Sequence, residues 1–179
     1  MALRSSIFKA NISLSNLTTN YYDDISLTIA LHPSETEERM MFRLLAYLYC
    51  AHERLEFTEG LNNPDLPDIW QKDLTGQIEH WIDLGLPEEK RIKKAVGQSN
   101  RVSIFTYNQF KAKVWFEKIK SYLNNNKKIN VYHFTEVEEN SIKTLIQRSM
   151  ILNCVIEDNQ IFLSNDDSRI LIELSQTNL

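Results

Sequence analysis

The feature that most constrains the fold is an alternation of strand and helix patterns along residues 77–134. The strand-like segment QIEHWIDL is followed in order by EEKRIKKAVG, RVSIFTY, NQFKAKVWFEKIKSYLNNN and INVYHF. A helix that separates two strands is the usual crossover between parallel strands of one sheet. The alternation therefore predicts parallel strands joined by two helices. The second of these helices is expected to direct Phe110, Val114, Ile119 and Leu123 toward the core.

Upstream of this alternation lie a helix pattern and a hairpin pattern. Met41, Leu44, Leu45 and Leu48 recur at helical spacing within HPSETEERMMFRLLAYLYCAHER, which predicts the first long helix. A short extended piece comes next, and two strands at about 68–73 and 77–84 follow it. The order predicts an antiparallel meander that continues into the parallel crossovers of one mixed α+β sheet.

The two ends of the chain add further strand patterns. Residues 4–14 and about 23–31 indicate two strands, ILNCVI and QIFLS indicate a hairpin, and RILIEL indicates a last strand. The segment EVEENSIKTLIQRSM has a helical pattern. We expect the terminal strands to pair as a second β layer, and residues 1–179 to form a single domain.

Composition excludes several classes of protein. Cys50 and Cys154 are the only cysteines in the sequence, and they lie far apart without metal-ligand spacing. The four histidines show no such spacing either, so structural roles are expected for them. No apolar run approaches the roughly 20 residues that a membrane helix needs. These features predict a cytoplasmic protein with reduced thiols and no membrane association.

The charge distribution is asymmetric, although the net charge is only −4. Residues 1–89 carry a net charge of −9, whereas residues 90–128 carry a net charge of +10. Such a segment, from Lys90 to Lys128, is typical of a surface that faces nucleic acid phosphates. The alternative is an ordinary solvated helix face rich in lysine.

The hairpin at residues 68–84 carries several carboxylates among tryptophans and isoleucines. Glu79 and Asp83 share one face of the second strand because side chains alternate. Asp68 faces the same way if the connecting loop has two or four residues. The turn at residues 73–76, DLTG, instead favours a three-residue loop, which would pair Asp68 with Ile82 and turn it away. The register is open at this point.

Carboxylates that converge repel one another, and a divalent cation relieves that repulsion. Mg²⁺ takes oxygen ligands, commonly one or two carboxylates together with waters and phosphate oxygens. Asp68, Glu79 and Asp83 are therefore candidate ligands of Mg²⁺ or Mn²⁺. The alternative is a solvated outer face, which Trp70 and Trp81 make less favourable.

Several long segments of the chain carry a family resemblance. They are HPSETEERMMFRLLAYL, ERLEFTEGL, PDIWQKDLTGQIEHWIDLG, PEEKRIKKA and RSMILNCVIEDNQIFLS. In this order they resemble the YaeQ family of bacterial proteins, and the resemblance covers essentially the whole chain. It implies a restriction-endonuclease-like fold of the PD-(D/E)XK superfamily: a core of helix, three-stranded meander, helix and parallel strand, with additional strands from both termini. The family has no assigned biochemical function.

The resemblance also implies roles for individual carboxylates. The first aspartate of the superfamily motif matches Asp68, and the later carboxylate matches Glu79 or Asp83. The motif's lysine should follow that carboxylate by two residues, where this chain has Trp81 or Gly85. The plain motif is therefore interrupted.

Other residues are candidates for the missing parts of the motif. Lys90, on the following helix, is placed to replace the lysine, and Lys72 is a weaker substitute. Glu38, on the first helix, matches an accessory glutamate of the superfamily. The resemblance implies that Asp68 and Glu79, with Asp83, would hold the metal and that Lys90 would stabilise developing phosphate charge.

Two hypotheses follow. The first is a Mg²⁺- or Mn²⁺-dependent nuclease or related phosphodiesterase with a degenerate site. The second is a catalytically inactive module on the same fold that binds nucleic acid or a protein partner. The nucleic acid would bind through the segment from Lys90 to Lys128.

Overall fold

The computed structural model describes residues 5–59, 61, 63–137 and 141–177. In chain order its elements are β1 (Ser6–Asn16), β2 (Tyr21–Leu31), α1 (Glu37–Tyr49), β3 (Leu55–Phe57), β4 (Ile69–Lys72), β5 (Ile78–Leu84), α2 (Glu89–Gln98), β6 (Ser99–Thr106), α3 (Gln109–Asn124), β7 (Ile129–Glu136), a 3₁₀ helix (Ile142–Leu145), β8 (Ser149–Glu157), β9 (Gln160–Ser164) and β10 (Arg169–Thr177). The predicted mixed α+β class is confirmed.

The described residues group into two compact units. The first unit is Met1–Tyr49 with Thr135–Leu174, and the second is Cys50–Phe134 with Ser175–Leu179. None of the described helices is long and apolar enough to cross a membrane. A single domain over residues 1–179 stays a prediction.

Strands from the two ends of the chain make the sheet of the first unit. The strands lie in the order β2, β1, β8, β9 and β10. β1 is parallel to β8 and antiparallel to β2, and β9 is antiparallel to both of its neighbours. The expected pairing of the terminal strands with one another is confirmed, and a second β layer made by them stays a prediction. The predicted start of β1 at residue 4 lies outside the described residues.

One helix prediction in the first unit is wrong. EVEENSIKTLIQRSM was predicted to be helical, but β7 extends to Glu136, a short 3₁₀ helix occupies Ile142–Leu145, and β8 starts at Ser149. Residues 138–140 lie outside the described part of the chain. The Glu136 carboxylate accepts the backbone N–H of Ile142 at 2.7 Å. Polar side-chain capping of this kind favours a short turn.

The second unit contains the predicted meander and crossovers. Its strands lie in the order β7, β6, β5, β4 and β3. The β3–β4 and β4–β5 pairs are antiparallel, whereas β5, β6 and β7 are parallel. α2 connects β5 to β6, and α3 connects β6 to β7. The order predicted from the sequence is confirmed for these elements.

Both helices of the second unit pack on one face of its sheet. The buried cluster between them consists of Trp81, Ile92, Ala95, Val102, Ile104, Trp115, Ile119, Leu123, Ile129 and Val131. Because the inner face of the sheet and both helices share this cluster, the positions of α2 and α3 relative to β5 are fixed by apolar packing.

The predicted core face of α3 is only half correct. Ile119 and Leu123 are buried, but Phe110 is 79% exposed and Val114 is 44% exposed. Ala112 and Trp115 take the inward positions instead. Residues 112, 115, 119 and 123 follow the helical repeat, whereas 110 and 114 fall on the opposite side. α3 therefore presents an apolar strip to solvent.

Candidate acidic site

The β4–β5 hairpin has the turn that its residues predict. The N–H of Gly76 donates to the Asp73 carbonyl at 3.1 Å, and Gly76 has a φ of +88°. The Asp73 carboxylate accepts the N–H groups of Thr75 and Gln77 at 2.8 and 2.9 Å. Asp at the first position and Gly at the left-handed position are the residues that such a three-residue loop needs.

A β-bulge then changes the register of the hairpin. Lys72 pairs with Ile78, but the next pair joins Gln71 to His80, so Glu79 has no residue opposite it. Beyond the bulge Ile69 pairs with Ile82. The three-residue loop was expected to pair Asp68 with Ile82, and this expectation is wrong because the extra residue shifts the pairing by one. The register instead brings Asp68 level with Asp83.

Asp68 and Asp83 are both buried at the end of this hairpin. Asp68 Oδ2 accepts the backbone N–H of Leu84 at 2.8 Å. The Asp83 carboxylate accepts two hydrogen bonds from Arg91, from Nε at 2.8 Å and from Nη2 at 2.7 Å. Burial raises the pKa of Asp83, the Arg91 guanidinium opposes that rise, and the Asp68 carboxylate adds to it. Two of the predicted carboxylates therefore interact.

Arg91 is the cation of this site, and sequence reasoning missed it. Besides the two bonds to Asp83, its Nη1 and Nη2 donate to the carbonyls of Pro64 and Leu66, each at 2.7 Å. Its guanidinium also lies 5.9 Å from the ring centroid of Trp81. Arg91 therefore holds the loop before β4, the end of β5 and α2 together. The signal was present as an arginine in the first turn of the helix that follows Asp83.

Glu79 lies apart from the aspartates. Its carboxylate accepts Gln71 Nε2 at 2.8 Å and pairs with Arg54 at 3.3 Å. Gln71 follows Trp70 in β4, so its side chain lies on the other face of the sheet from Asp83 and Trp81. The bulge turns Glu79 toward this second face, and it does not join Asp68 and Asp83.

The other three candidate residues have separate surroundings. Lys90 is exposed in the first turn of α2, beside Arg91. Lys72 Nζ lies 3.4 Å from the ring centroid of Trp70. Glu38 belongs to α1 in the first unit, where it pairs with Lys143 at 3.3 Å. None of these contacts places an amine or a third carboxylate on Asp68 or Asp83.

The carboxylates of this site do not fit a shared Mg²⁺ as they are arranged. Among the residues that the structure describes, no group of three or more His, Cys, Asp or Glu side chains could hold a metal ion. Both oxygens of Asp83 are engaged by one guanidinium, and Glu79 faces elsewhere. Binding of Mg²⁺ or Mn²⁺ by Asp68, Glu79 and Asp83 stays a prediction.

His80 forms a buried polar group on the Glu79 face of the sheet. Its Nδ1 accepts Arg101 Nη2 at 2.8 Å, because a guanidinium can only donate. Its Nε2 therefore carries the proton and donates to Ser103 Oγ, also at 2.8 Å. This arrangement leaves His80 unable to act as a base toward Ser103. The structural role expected for His80 agrees with its 2% exposure.

The buried His80 imidazole should make the folding stability of the protein depend on pH. Burial and the charge of Arg101 lower the pKa of His80 from 6.5 to about 3. The unfolded chain takes up a proton below pH 6.5 and the folded chain does not, so stability falls as the pH drops below 6.5. The loss is about 1.4 kcal/mol per pH unit, or roughly 2 kcal/mol at pH 5. Urea unfolding of the wild type and of His80→Gln at pH 7 and pH 5 measures it.

In that experiment the wild type should lose roughly 2 kcal/mol more than His80→Gln between the two pH values. Glutamine keeps polar atoms near Arg101 and Ser103 but does not titrate. Other titrating groups, including His133, cancel in the comparison. Equal losses in the two proteins would rule out His80 as the source.

The fold and this site define a mixed α+β protein whose second unit has three parallel strands and a buried Asp–Arg pair at the end of the first of them. The chain belongs to the YaeQ family: the family model described as YaeQ protein matches residues 1–174. It is 41% identical over 175 residues to the uncharacterized protein YaeQ of Escherichia coli strain K12, covering 98% of this chain and 97% of that one. The corresponding protein of Salmonella typhi is 39% identical over the same coverage.

Solved structures show the same fold. The crystal structure of YaeQ protein from Xanthomonas axonopodis pv. citri has a TM-score of 0.89 and 33% sequence identity, covering 96% of this chain and 97% of that chain. The crystal structure of YaeQ protein from Pseudomonas syringae has a TM-score of 0.88 and 30% identity, covering 98% and 97%. The family resemblance read from the sequence is thus confirmed.

Proposed function

We propose that the protein is a catalytically inactive module on a restriction-endonuclease-like fold and that it binds single-stranded nucleic acid through the outer surface of α3. The observation that carries the proposal is the exposed apolar strip of α3, Phe110 and Val114, between two rows of lysines. We call this surface the α3 ridge. Its parts match the two needs of a single strand, an aromatic face for bases and cations for phosphates.

The lysine rows follow from the helical repeat. At about 100° per residue, positions seven apart lie nearly in line. One row is Lys111 and Lys118, the other is Lys113 and Lys120, and all four are exposed. Only Lys120 pairs with an acidic residue on the helix, Glu117 at 2.5 Å. The ridge therefore keeps most of its positive charge available for phosphate.

α2 extends the positive surface beside α3. Lys93 pairs with Glu89 at 2.6 Å, and its Nζ lies 5.3 Å from the ring centroid of Tyr122 on α3. Lys90 is exposed at the start of the same helix. Glu117 is the only acidic residue in the segment from Lys90 to Lys128, so this segment of the chain is strongly basic. Such a surface attracts nucleic acid despite the net charge of −4.

The acidic site supports the non-catalytic part of the proposal. One guanidinium engages both oxygens of Asp83, which would otherwise be available to a metal ion. The remaining donors of Arg91 bind the carbonyls of Pro64 and Leu66, which favours a structural role for the pair. The ion pair between Arg91 and Asp83 holds α2 against the end of β5.

Replacement of Phe110 tests the stacking part of the proposal. Phe110→Ser should weaken binding of a fluorescein-labelled oligothymidylate by about 1–3 kcal/mol, roughly 5- to 150-fold, because the base loses its aromatic partner. Fluorescence anisotropy measures the affinity. Tyr22→Ser is the matched control, since Tyr22 is also exposed but belongs to the first unit. An unchanged affinity in Phe110→Ser would show that bases do not stack on the α3 ridge.

A metal-dependent nuclease is the competing proposal. It is favoured by Asp68 and Asp83, whose carboxylates meet at the end of β5. For hydrolysis, Arg91 would have to release Asp83. The test is turnover of single-stranded, duplex and branched DNA and RNA in the presence of Mg²⁺ or Mn²⁺. Turnover that is lost in the double variant Asp68→Ala with Glu79→Ala would support the nuclease. Turnover that survives these substitutions would count against it.

A further inference from the structure

We propose that a cleft between α3 and β7 binds a small phosphate monoester that carries a free hydroxyl group, such as a sugar phosphate. The cleft lies beside the carboxyl end of β6, where Thr106 is the last residue of its strand and pairs with His133 of β7. Ligands of parallel-sheet proteins commonly bind at this edge. The cleft lies apart from the acidic site at Asp83, and it shares Lys113 with the α3 ridge.

The size of the cleft selects small ligands. Its volume is about 240 Å³. This is below the roughly 300–1,000 Å³ of sites for drug-sized molecules. Its apolar side is formed by Ala112, Trp115, Phe116 and Val131, which can pack against the carbon skeleton of a ligand. A pentose-sized compound fits these limits better than a dinucleotide.

The charge of the cleft selects anions. Ten described residues line it, and none of them is acidic. Lys113 is its cation, and it forms no ion pair within the part of the chain that the structure describes. Gln109, Ser175 and Thr177 add neutral hydrogen-bond donors around it. A phosphate, with three terminal oxygens, can use a cation and several donors at once.

His133 supplies an acceptor for a hydroxyl group. Thr106 Oγ1 donates its one hydrogen to the Tyr132 carbonyl at 3.1 Å. At the 2.7 Å contact with His133, Thr106 must therefore accept a hydrogen from Nδ1. Burial lowers the pKa of His133, so the ring is neutral at pH 7 and Nε2 keeps its lone pair. A ligand hydroxyl can donate to Nε2 while its phosphate contacts Lys113.

The walls of the cleft are held in place by contacts outside it. Gln176 Nε2 donates to Asn130 Oδ1 at 3.0 Å, which fixes the last described residues beside β7. Asn108 caps α3 by accepting the N–H of Lys111 at 3.1 Å, so the helix begins at the edge of the cleft. The positive end of the helix dipole adds to the attraction for an anion.

Titration with ribose 5-phosphate at pH 7 tests the proposal on the full chain. Long-range ¹H–¹⁵N NMR spectra should show that the His133 ring signals move, while those of His32, His52 and His80 stay in place. Ribose without phosphate and inorganic phosphate should each bind at least about tenfold more weakly, because each uses only half of the site. A His133 signal that does not move with ribose 5-phosphate at about 10 mM would overturn the proposal.

Substitutions at His133 and Lys118 distinguish the cleft from the α3 ridge, because Lys113 belongs to both. Lys113→Met and His133→Gln should each weaken ribose 5-phosphate binding by about tenfold or more, whereas Lys118→Met should leave it unchanged. His133→Gln should bind oligothymidylate as the wild type does. If ribose 5-phosphate still binds after both cleft substitutions, the cleft is not its binding site. This outcome does not depend on whether the α3 ridge binds nucleic acid.

Discussion

Replacing all four lysines of the α3 ridge by glutamine is expected to weaken binding of a single-stranded oligonucleotide by on the order of 100-fold at 0.1 M salt. The lysines are Lys111, Lys113, Lys118 and Lys120. Each phosphate contact releases a counterion, so its contribution falls as salt rises. All four side chains are exposed on a helix whose opposite face supplies the core, so the fold should be unaffected.

The salt dependence gives a second readout of the same variant. On single strands each lost phosphate contact should reduce the slope of log affinity against log salt by about 0.7, or about 2.8 for four contacts. Lys9→Gln with Lys143→Gln is the control, since both lysines are exposed in the first unit. An equal loss in the control would indicate a general charge effect. A four-lysine variant with wild-type affinity would show that the ridge is not the binding surface.

Replacing Arg91 by methionine is expected to lower the free energy of unfolding by about 3–5 kcal/mol, the cost of leaving a buried carboxylate without its partner. Asp83 is 2% exposed and receives both of its charged hydrogen bonds from Arg91. The same substitution removes the two donors that hold the carbonyls of Pro64 and Leu66. Urea unfolding followed by circular dichroism measures the change.

Two further variants make this result specific. Lys90→Met changes the neighbouring exposed residue and should alter stability by no more than about 0.5 kcal/mol. Arg91→Met with Asp83→Leu should recover much of the loss, because no buried charge is left without a partner. If the free energy of unfolding of Arg91→Met lies within about 1 kcal/mol of the wild-type value, the ion pair does not stabilise the contact between α2 and β5.

The order of elements in the second unit could be predicted because each carries a clear periodicity. The strand patterns of β5, β6 and β7 alternate with two helix patterns, and that order admits few topologies. The turn at residues 73–76 was also predictable, since Asp73 and Gly76 occupy positions where the chemistry of the turn demands them. Local rules were sufficient for these features.

The convergence of the carboxylates could not be predicted from local rules. It depends on the bulge at Glu79, one extra residue that shifts Asp68 to the level of Asp83 and turns Glu79 to the other face. No turn residue marks this bulge. The partner of Asp83 was missed for a related reason, since Lys90 was the candidate on α2 and the packing of α2 against β5 selects its neighbour Arg91.

The inward face of α3 was misread because the helix has two apolar strips. Phe110 and Val114 form one, and Trp115 and Ile119 belong to the other. Amphipathic periodicity alone does not decide between them, and the structure buries the strip that includes the small Ala112. The strip left in solvent is the basis of the proposed function.

The most direct test of an inactive module that binds single strands combines binding and turnover in one measurement. A 5′-labelled single-stranded oligonucleotide is incubated with the protein and about 5 mM Mg²⁺, and bound and cleaved strands are both quantified. We expect the strand to be bound, its binding to be weakened in Phe110→Ser, and the strand to be recovered intact. Cleavage by the wild type that disappears in Asp83→Asn would contradict an inactive module and establish the nuclease instead.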